Sequence, residues 1–293
     1  MDRRAVLGML TAGLAWSRWR DVWALESRPG PAGARTAANP RAGAIERVGI
    51  QLYTVRAGMQ RDFEGTLARI AEIGYQDVEF AGYFGRTPAQ VRAALNLAGL
   101  AGVATHIPGA DVAADPDRIV AETAEIGCQY LVAAWIDQGE RQTIADWQRW
   151  AERFNRTGEK AKAAGIRFAY HNHDYEFGRL QNQLPYDVLI RSTDSGLVSF
   201  EMDLYWLIKA GHDPLAYFAR YGARFPLLHV KDSAGAPEHR MVDVGDGSID
   251  FRRIFSRREQ AGVRHYFVEH DEPPNAMESA RRSFAYMRGL EIP

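Results

Sequence analysis

Four short apolar segments in the second half of the chain each end in side chains that can bind a divalent metal. The segments are residues 168–173, 198–203, 226–232 and 266–271. Apolar and β-branched runs of this length are typical of buried parallel strands. In a (β/α)8 barrel the carboxyl ends of all strands meet on one face, and that face carries the chemistry. Imidazole and carboxylate groups gathered there suit Mn, Fe, Co or Zn. The pattern therefore predicts a metal-dependent barrel enzyme.

Strand-like runs alternate with amphipathic segments from residue 48 onward. The runs span residues 48–54, 77–80, 102–107, 130–135, 167–173, 198–206, 225–232 and 266–271. Glycine ends the helical segments, as at Gly74 and Gly165, and a capping residue followed by proline begins them, as at Thr87-Pro88. An open doubly wound sheet would alternate similarly, but no glycine-rich fingerprint follows an early strand. Residues 47–293 are therefore predicted to form a single α/β domain, a (β/α)8 TIM barrel.

The first residues predict export from the cytoplasm. Arg3-Arg4 precedes an apolar stretch, residues 5–16, that is too short to span a bilayer. Small residues up to Ala24 offer a cleavage site, and the arginine pair resembles a twin-arginine signal. We expect residues 1–24 to be the signal, residues 25–46 to be a flexible linker, and the mature protein to be periplasmic or secreted without a stable membrane span. An ordinary secretory signal or an uncleaved anchor is the alternative.

The charge balance argues against a nucleic-acid partner. The chain has 36 basic and 37 acidic residues, so it lacks the broad cationic face that binds a polyanion. Cys128 is the only cysteine, which excludes an internal disulfide. The expected partner is a small carbohydrate, and whether the chain forms a homo-oligomer is left open.

Three donors at the predicted strand ends have the strongest case as metal ligands. Asp203 lies in an apolar run, where an unpaired carboxylate would be costly, so it needs a cation or several donors. His229 and Glu269 follow apolar residues in the same way. A salt bridge from Glu269 to Lys231 or to an arginine is the alternative for that carboxylate.

The remaining candidates have weaker patterns. Five of the eight histidines fall at predicted strand ends, namely His106, His171, His173, His229 and His270. Lys231 lies two residues after His229 and would steady an oxyanion or pair with Asp203 or Glu269. Gln51, Glu79 and His106 are interpreted as substrate contacts, with ordinary rim residues as the alternative. Trp206 would offer a flat apolar surface to a sugar ring, or would simply pack.

With strands and donors in this order, the chain resembles the sugar phosphate isomerase/epimerase superfamily, which has a xylose isomerase-like barrel. The resemblance rests on the segments GIQLYTVR at residues 49–56, YHNHDYEF at 170–177, DLYW at 203–206, HVKD at 229–232 and VEHD at 268–271. These motifs cover the barrel from about residue 48 to residue 290.

The resemblance implies a metal site with one departure. Members similar to ketose 3-epimerases hold one Mn or related ion with Glu, Asp, His and Glu. Asp203, His229 and Glu269 match the last three positions, whereas His171 stands where the first glutamate is expected. The His-x-His pattern with His173 instead resembles inosose dehydratase and lyases that cleave 3-keto-glycosides. Whether His171 or Glu176 completes the site is left open.

The sequence thus predicts a lyase or isomerase that acts on a keto-sugar or oxidised glycoside through an enediolate. The cofactor would be one divalent ion, with Mn favoured over Co, Fe, Mg and Zn. The expected metal ligands are His171, Asp203, His229 and Glu269, and the expected catalytic residues are His173, Glu176, Lys231 and Glu269. Alternatives are a ketose epimerase or isomerase, a phosphodiesterase similar to endonuclease IV, and a non-catalytic periplasmic sugar-binding barrel.

Overall fold

The computed structural model describes residues 43–293, and within them the eight predicted strands close into one parallel barrel. The barrel strands are β1 (Gly49–Gln51), β2 (Asp77–Phe80), β3 (Ala101–Ile107), β4 (Tyr130–Ala133), β5 (Arg167–His171), β6 (Val198–Asp203), β7 (Leu227–Val230) and β10 (His265–Val268). A short antiparallel pair, β8 (Asp232–Ser233) and β9 (Met241–Val242), comes between β7 and β10 in the sequence. Pairing of Gly49 with Phe267 closes the cylinder. The predicted barrel is confirmed; the predicted export signal lies outside the described residues.

The helices lie between the strands in chain order. They are α1 (Arg56–Arg61), α2 (Phe63–Ile73), α3 (Pro88–Ala98), α4 (Gly109–Ala114), α5 (Pro116–Ile126), α6 (Ile144–Ala163), α7 (Pro185–Ser192), α8 (Leu204–Lys209), α9 (Pro214–Tyr221), α10 (Phe251–Phe255), α11 (Arg258–Ala261) and α12 (Ala276–Gly289). Short 3-10 turns cover Leu52–Val55, Gln138–Glu140 and Tyr175–Phe177. None of the helices in the described part is long and apolar enough to cross a membrane.

Helix ends follow the sequence signals that predicted them. The Thr87 hydroxyl and the Gln90 side chain form a reciprocal capping box at the start of α3. Gly74 ends α2 with a φ of +118°, a left-handed conformation that favours glycine. These caps fix where each helix turns back toward the next strand and so help to set the strand ends that carry the polar donors.

The inward face of several strands changes from apolar to polar toward the carboxyl end. Side chains two residues apart share a face of a strand. Ala169, Leu227 and Phe267 belong to a buried apolar cluster. Two residues later on the same strands or just beyond them come His171, His229 and Glu269, in that order. The apolar layer thus forms a floor beneath the polar groups of the barrel mouth.

The packed unit begins slightly before residue 47. Ala44 pairs with Glu291 in an antiparallel bridge, and Ile45 is buried. The Arg288 guanidinium donates to the backbone carbonyls of Ile45 at 2.7 Å and Glu46 at 2.8 Å. Residues 43–46, which the sequence assigns to the linker, therefore pack against the C-terminal segment. Residues 25–42 of that linker lie outside the described part of the chain.

Candidate functional site

Four strands bring the predicted metal ligands together at the carboxyl end of the barrel. We call His171, Asp203, His229 and Glu269 the upper donor set; all four are buried. His171 Nε2 lies 3.4 Å from Asp203 Oδ2. His229 Nδ1 lies 3.8 Å from Asp203 Oδ2 and 2.8 Å from Glu269 Oε2. One donor atom from each of His171, Asp203 and His229 lies within 4.8 Å of the other two, and Glu269 adjoins this group through its contact with His229 Nδ1. Three donors therefore converge within a volume that one cation could occupy, and the Glu269 carboxylate lies beside them.

Asp203 is held so that one carboxylate oxygen faces this centre. Its Oδ1 accepts the backbone N–H of Trp206 at 2.9 Å and caps the start of α8. The Asn172 side chain accepts the Asp203 N–H at 3.1 Å and donates to the Asp203 carbonyl at 3.3 Å. These bonds join the ends of β5 and β6. They leave Oδ2 for His171 and Lys231.

Lys231 is a buried ammonium that touches three carboxylates. Its Nζ lies 3.1 Å from Asp203, 2.9 Å from Glu269 and 2.9 Å from Asp271. Burial alone would lower the pKa of Lys231, but these carboxylates raise that pKa well above its ordinary value. Burial would raise the pKa of Asp203, yet Lys231 and His171 lower it to about 2. Lys231 therefore forms the charge pairs that the sequence offered as its alternative role, and it remains a fixed positive charge at the mouth.

The upper donor set fits one divalent cation. His229 Nδ1 is buried and has no hydrogen-bond partner among the described residues, since its 2.8 Å approach to Glu269 does not have hydrogen-bond geometry. A ring nitrogen that makes no hydrogen bond and lies beside carboxylates is suited to bind a metal ion. Burial lowers the pKa of His171 to about 4, which favours the neutral imidazole that ligates metals. The chemistry of the four donors is therefore compatible with a transition metal.

A second cluster lies one layer lower in the barrel. We call Glu79, His106, Glu201 and His229 the lower donor set. His229 Nε2 lies 2.5 Å from Glu79 Oε2 and 3.2 Å from Glu201 Oε2. His106 Nε2 lies 2.6 Å from Glu201 Oε2 and 3.3 Å from Glu79 Oε2. His229 thus belongs to both sets, with one ring nitrogen facing each.

The sequence analysis did not identify Glu201, and it interpreted Glu79 as a substrate contact, whereas Glu79 lies in the lower donor set. Glu201 lies two residues before Asp203 on β6 and therefore shares its inward face. That spacing was the available signal, because a second carboxylate in an apolar strand also needs partners. Glu79, predicted to contact substrate, is fully buried and accepts a hydrogen bond from Gln51 Nε2 at 2.9 Å. Burial, followed by repulsion from Glu201, raises the pKa of Glu79 to about 7.

A cavity of about 680 Å³ opens above the upper donor set. Among its lining residues are Gln51, His106, His171, His173, Trp206, Lys231 and Glu269. Three of the four predicted substrate contacts therefore line the cavity, and Glu79 does not. A second cavity of about 800 Å³ adjoins it and shares Trp206 and Asp271. The mouth of the barrel thus offers two neighbouring spaces beside the metal-ligand candidates.

His173 and Glu176 have different surroundings. The His173 ring lines the cavity, stacks on Tyr175 with ring centres 5.3 Å apart, and has a buried Nδ1 without a hydrogen-bond partner. Glu176 is fully buried; its carboxylate accepts from the Tyr170 hydroxyl at 2.5 Å and from the His173 N–H at 2.9 Å. Burial raises the pKa of Glu176 to about 7. His171, rather than Glu176, contacts Asp203, and the acid or base role of Glu176 stays a prediction.

Comparison with known proteins gives this geometry a family context. A family model described as a xylose isomerase-like TIM barrel matches residues 67–290. Inosose dehydratase of Lacticaseibacillus casei is 29% identical over 190 residues, which are 58% of this chain but only 63% of that relative. The chain therefore matches less than two thirds of the length of that relative. Inosose dehydratase of Geobacillus thermodenitrificans is 25% identical over 273 residues, 79% of this chain and 90% of the relative.

Solved structures have the same barrel. A sugar phosphate isomerase/epimerase from Parabacteroides distasonis superposes with a TM-score of 0.76 at 26% identity, over 87% of this chain and 98% of the other. An L-ribulose 3-epimerase superposes with a TM-score of 0.63 at 18% identity, over 83% of this chain and 93% of the other, which shows the fold alone. Because the family model covers most of the closed barrel and the residues of both donor sets, the chain belongs to the xylose isomerase-like TIM barrel family.

Proposed function

We propose that this protein is a divalent-metal-dependent lyase that acts on a keto-sugar or an oxidised glycoside. The observation that carries the proposal is the cluster of His171, Asp203 and His229, whose donor atoms lie within 4.8 Å of one another. The cavity beside this cluster is lined by His171, Glu269, His173 and the Lys231 ammonium. A metal-ligand cluster, a free imidazole and a fixed cation are the groups needed to remove a proton beside a carbonyl.

His173 would accept the proton from the carbon next to the substrate carbonyl. Its ring lines the cavity, and stacking on Tyr175 fixes the plane of the ring. The electron pair of the broken C–H bond forms a carbon–carbon double bond, and the carbonyl oxygen becomes negatively charged. The carbonyl then reforms while a double bond forms between the α and β carbons. The oxygen on the β carbon leaves with the electron pair of its C–O bond and takes up a proton, so hydrogen and charge balance over the elimination. His173 in its protonated form can return that proton.

The protein has two means of holding negative charge at the substrate oxygens. A divalent cation bound by the upper donor set would stabilise that charge by several kcal/mol. Lys231 adds a permanent positive charge that lines the same cavity, and its three carboxylate contacts restrict its movement. The Gln51 side chain lines the cavity, and the hydrogen bond that its Nε2 donates to Glu79 at 2.9 Å fixes the position of its amide. These groups would orient the carbonyl end of the sugar.

Two adjoining cavities support a substrate with two parts. The 680 Å³ space would hold the sugar being deprotonated, and the 800 Å³ space across Trp206 would hold the leaving group. A glycoside needs both spaces, whereas a simple ketose needs one. The relatives named inosose dehydratase also carry a name that denotes an elimination. Together these features favour elimination from an oxidised glycoside.

A ketose epimerase or isomerase is the second candidate. Its support is the barrel shared with L-ribulose 3-epimerase. Epimerisation requires proton-exchanging groups on both faces of the substrate, and His171 stands where the resemblance places the first of the two glutamates. His171 supplies an imidazole in contact with Asp203 instead of that carboxylate, so elimination fits the described residues better.

Export is part of the proposal. The arginine pair and the short apolar stretch in residues 1–24 support transport by the twin-arginine route to the periplasm or beyond. Sugar phosphates are scarce outside the cytoplasm, so an unphosphorylated carbohydrate is the proposed substrate. The identity of the metal is proposed as Mn, because the donor set mixes imidazole with carboxylate.

The reaction can be tested with the metal-loaded protein in deuterated water on a panel of 3-keto-glycosides and ketoses. Release of the aglycone with formation of an unsaturated keto-sugar would support elimination. Deuterium incorporation into an intact ketose without release would support the epimerase or isomerase instead. Absence of exchange and of release across the whole panel would contradict both, and it would favour a non-catalytic sugar-binding barrel.

A further inference from the structure

The lower donor set alternates nitrogen and oxygen atoms around one point. Four N···O distances between 2.5 and 3.3 Å join two imidazole Nε2 atoms to two carboxylate oxygens. Each Nε2 carries at most one proton, so two protons serve four contacts. One selected donor atom from each side chain lies within 4.8 Å of the others. This is a compact set of two nitrogen and two oxygen donors.

Two oxygens of this set have no hydrogen-bond partner in residues 43–293. They are Glu79 Oε1 and Glu201 Oε1, and both side chains are fully buried. Within residues 43–293, neither carboxylate lies within salt-bridge distance of a lysine or an arginine; the ion-pair contacts of both are with imidazoles. Buried carboxylates are costly unless they are paired or coordinate a cation. Hydrogen bonds within the protein therefore leave the set incomplete.

We propose that Glu79, His106, Glu201 and His229 form a second divalent-cation site. A doubly charged cation would offset the two carboxylates, and two neutral imidazoles would complete a four-donor shell. Imidazole with carboxylate suits Zn, Fe, Co or Mn. Four protein donors close such a shell and leave no position for substrate, as in structural zinc sites. The cation would thus fix the interior of the barrel, while substrate chemistry belongs to the upper donor set.

The position of His106 provides a route for the cation. His106 is partly exposed and lines the 680 Å³ cavity, whereas the other three members of the set are fully buried. A cation can therefore reach the set from the mouth past the His106 ring. The same ring stacks on His229, with centres 5.0 Å apart and planes within 8°. The two imidazoles are already oriented in parallel before a cation binds.

His229 links the two sets and determines how the proposal must be tested. It faces the lower set with Nε2 and the upper set with Nδ1. A neutral imidazole has one proton and ligates through one nitrogen, so two cations at once would need His229 to lose both ring protons. Counting metals in the unmodified protein would mix the two sites. The lower set must therefore be measured after the upper set has been disabled.

The test is zinc binding by the full chain carrying Asp203→Asn and Glu269→Gln. We expect the folded double variant to retain one zinc per chain by mass spectrometry under native conditions. Adding Glu201→Gln should weaken this binding by more than about 10-fold, since it removes a ligand. Adding Glu176→Gln instead is the matched control, because Glu176 is equally buried but belongs to neither set, and it should leave the zinc in place. A folded double variant without zinc would overturn the proposal, as would equal affinity after Glu201→Gln.

A second measurement keeps the proposal testable if the variants do not fold. Crystals of the unmodified protein soaked in zinc should give an anomalous peak among Glu79, His106, Glu201 and His229. Anomalous density confined to the upper donor set would overturn the lower site. A cation at the lower set does not require the reaction proposed above. Failure of the substrate panel with zinc at the lower set would refute only the reaction. Turnover by the unmodified protein together with a folded double variant that binds no zinc would refute only the second site.

Discussion

The upper and lower donor sets use the same kinds of side chain, but they balance their carboxylates differently. In the upper set, Asp203 and Glu269 lie 3.1 and 2.9 Å from the Lys231 ammonium. In the lower set, Glu79 and Glu201 form ion-pair contacts only with imidazoles within the described residues. An ammonium keeps its charge across the physiological range, whereas the charge of an imidazole depends on its proton.

This difference agrees with the separate tasks that we propose for the two layers. The upper carboxylates are compensated by the protein itself, so the upper set can stay formed while a metal, a substrate and a proton come and go. The lower carboxylates need either protons on the imidazoles or a bound cation. A functional centre and a stabilising centre can thus be built from one strand face, two residues apart on β6.

The largest effect should come from Asp203→Ala. This change removes the oxygen that faces the upper centre and also the cap of α8. We expect turnover to fall by at least about 1000-fold, because ligand loss removes the charge stabilisation that the cation supplies. Asp203→Asn is the control that keeps a capping oxygen; it should lose activity similarly but remain more stable. Steady-state kinetics with metal analysis checks this, and an active, metal-loaded Asp203→Ala protein would refute the assignment.

Replacing Lys231 separates the two ways of balancing charge. Lys231→Met leaves Asp203 and Glu269 buried without their ammonium, which should cost about 3–5 kcal/mol in the free energy of unfolding of the chelated protein. A metal at the upper set would supply positive charge in place of the ammonium. The loss in the free energy of unfolding should therefore be smaller when Mn is present. Denaturant unfolding with and without chelator measures both values. Lys209→Met, at a partly exposed lysine paired with Asp174, should cost less than about 1 kcal/mol. Equal losses with and without Mn would contradict a shared site for ammonium and metal.

Glu176 shows the effect of burial without a cationic partner. Burial raises its pKa from 4.5 to about 7 in the folded protein. The folded state therefore keeps a proton that the unfolded state releases between about pH 4.5 and pH 7, and stability falls as the pH rises through this window. The change for this group is roughly 3 kcal/mol. The free energy of unfolding of Glu176→Gln should change less across this pH window than that of the unmodified protein. The same pH dependence in both proteins would contradict the assignment.

The smallest effect is expected for Asn172→Ala. The Asn172 amide joins the ends of β5 and β6 through two hydrogen bonds to the backbone of Asp203. Their loss should reduce the free energy of unfolding by about 1–2 kcal/mol. It should also loosen Asp203 and weaken metal retention at the upper set more than at the lower set. Metal titration of the variant measures this, and an equal loss at both sets would show that Asn172 supports the barrel in general.

The sequence predicted the fold well because each strand is a short apolar run with a clear end. The second strand matches residues 77–80 in both the prediction and the structure, while the sixth was predicted to run to residue 206 but ends at Asp203. It ends there because the Asp203 side chain caps the following helix. A helix-stopping glycine also occurs where the pattern placed it, at Gly74.

The sequence could place donors at strand ends but not the contacts between layers. His229 and Glu79 are 150 residues apart, and their contact depends on the register and tilt of strands across the barrel. Glu201 lies inside β6 and not at its end, so the pattern of polar strand ends did not identify it. The burial of Glu176 depends on the 3-10 turn Tyr175–Phe177, which folds its carboxylate under His173. The spacing of apolar residues along the sequence does not specify such contacts across the barrel or within a short turn.

The central claim is that the upper donor set holds the cation on which turnover depends. Its most direct test is activity on a 3-keto-glycoside before chelation, after chelation, and after Mn is restored, with Asp203→Asn measured in parallel. We expect activity to vanish on chelation, to return with about one equivalent of Mn at the upper set, and to stay absent in the variant. Full activity in metal-free protein, or in metal-free Asp203→Asn, would contradict the claim.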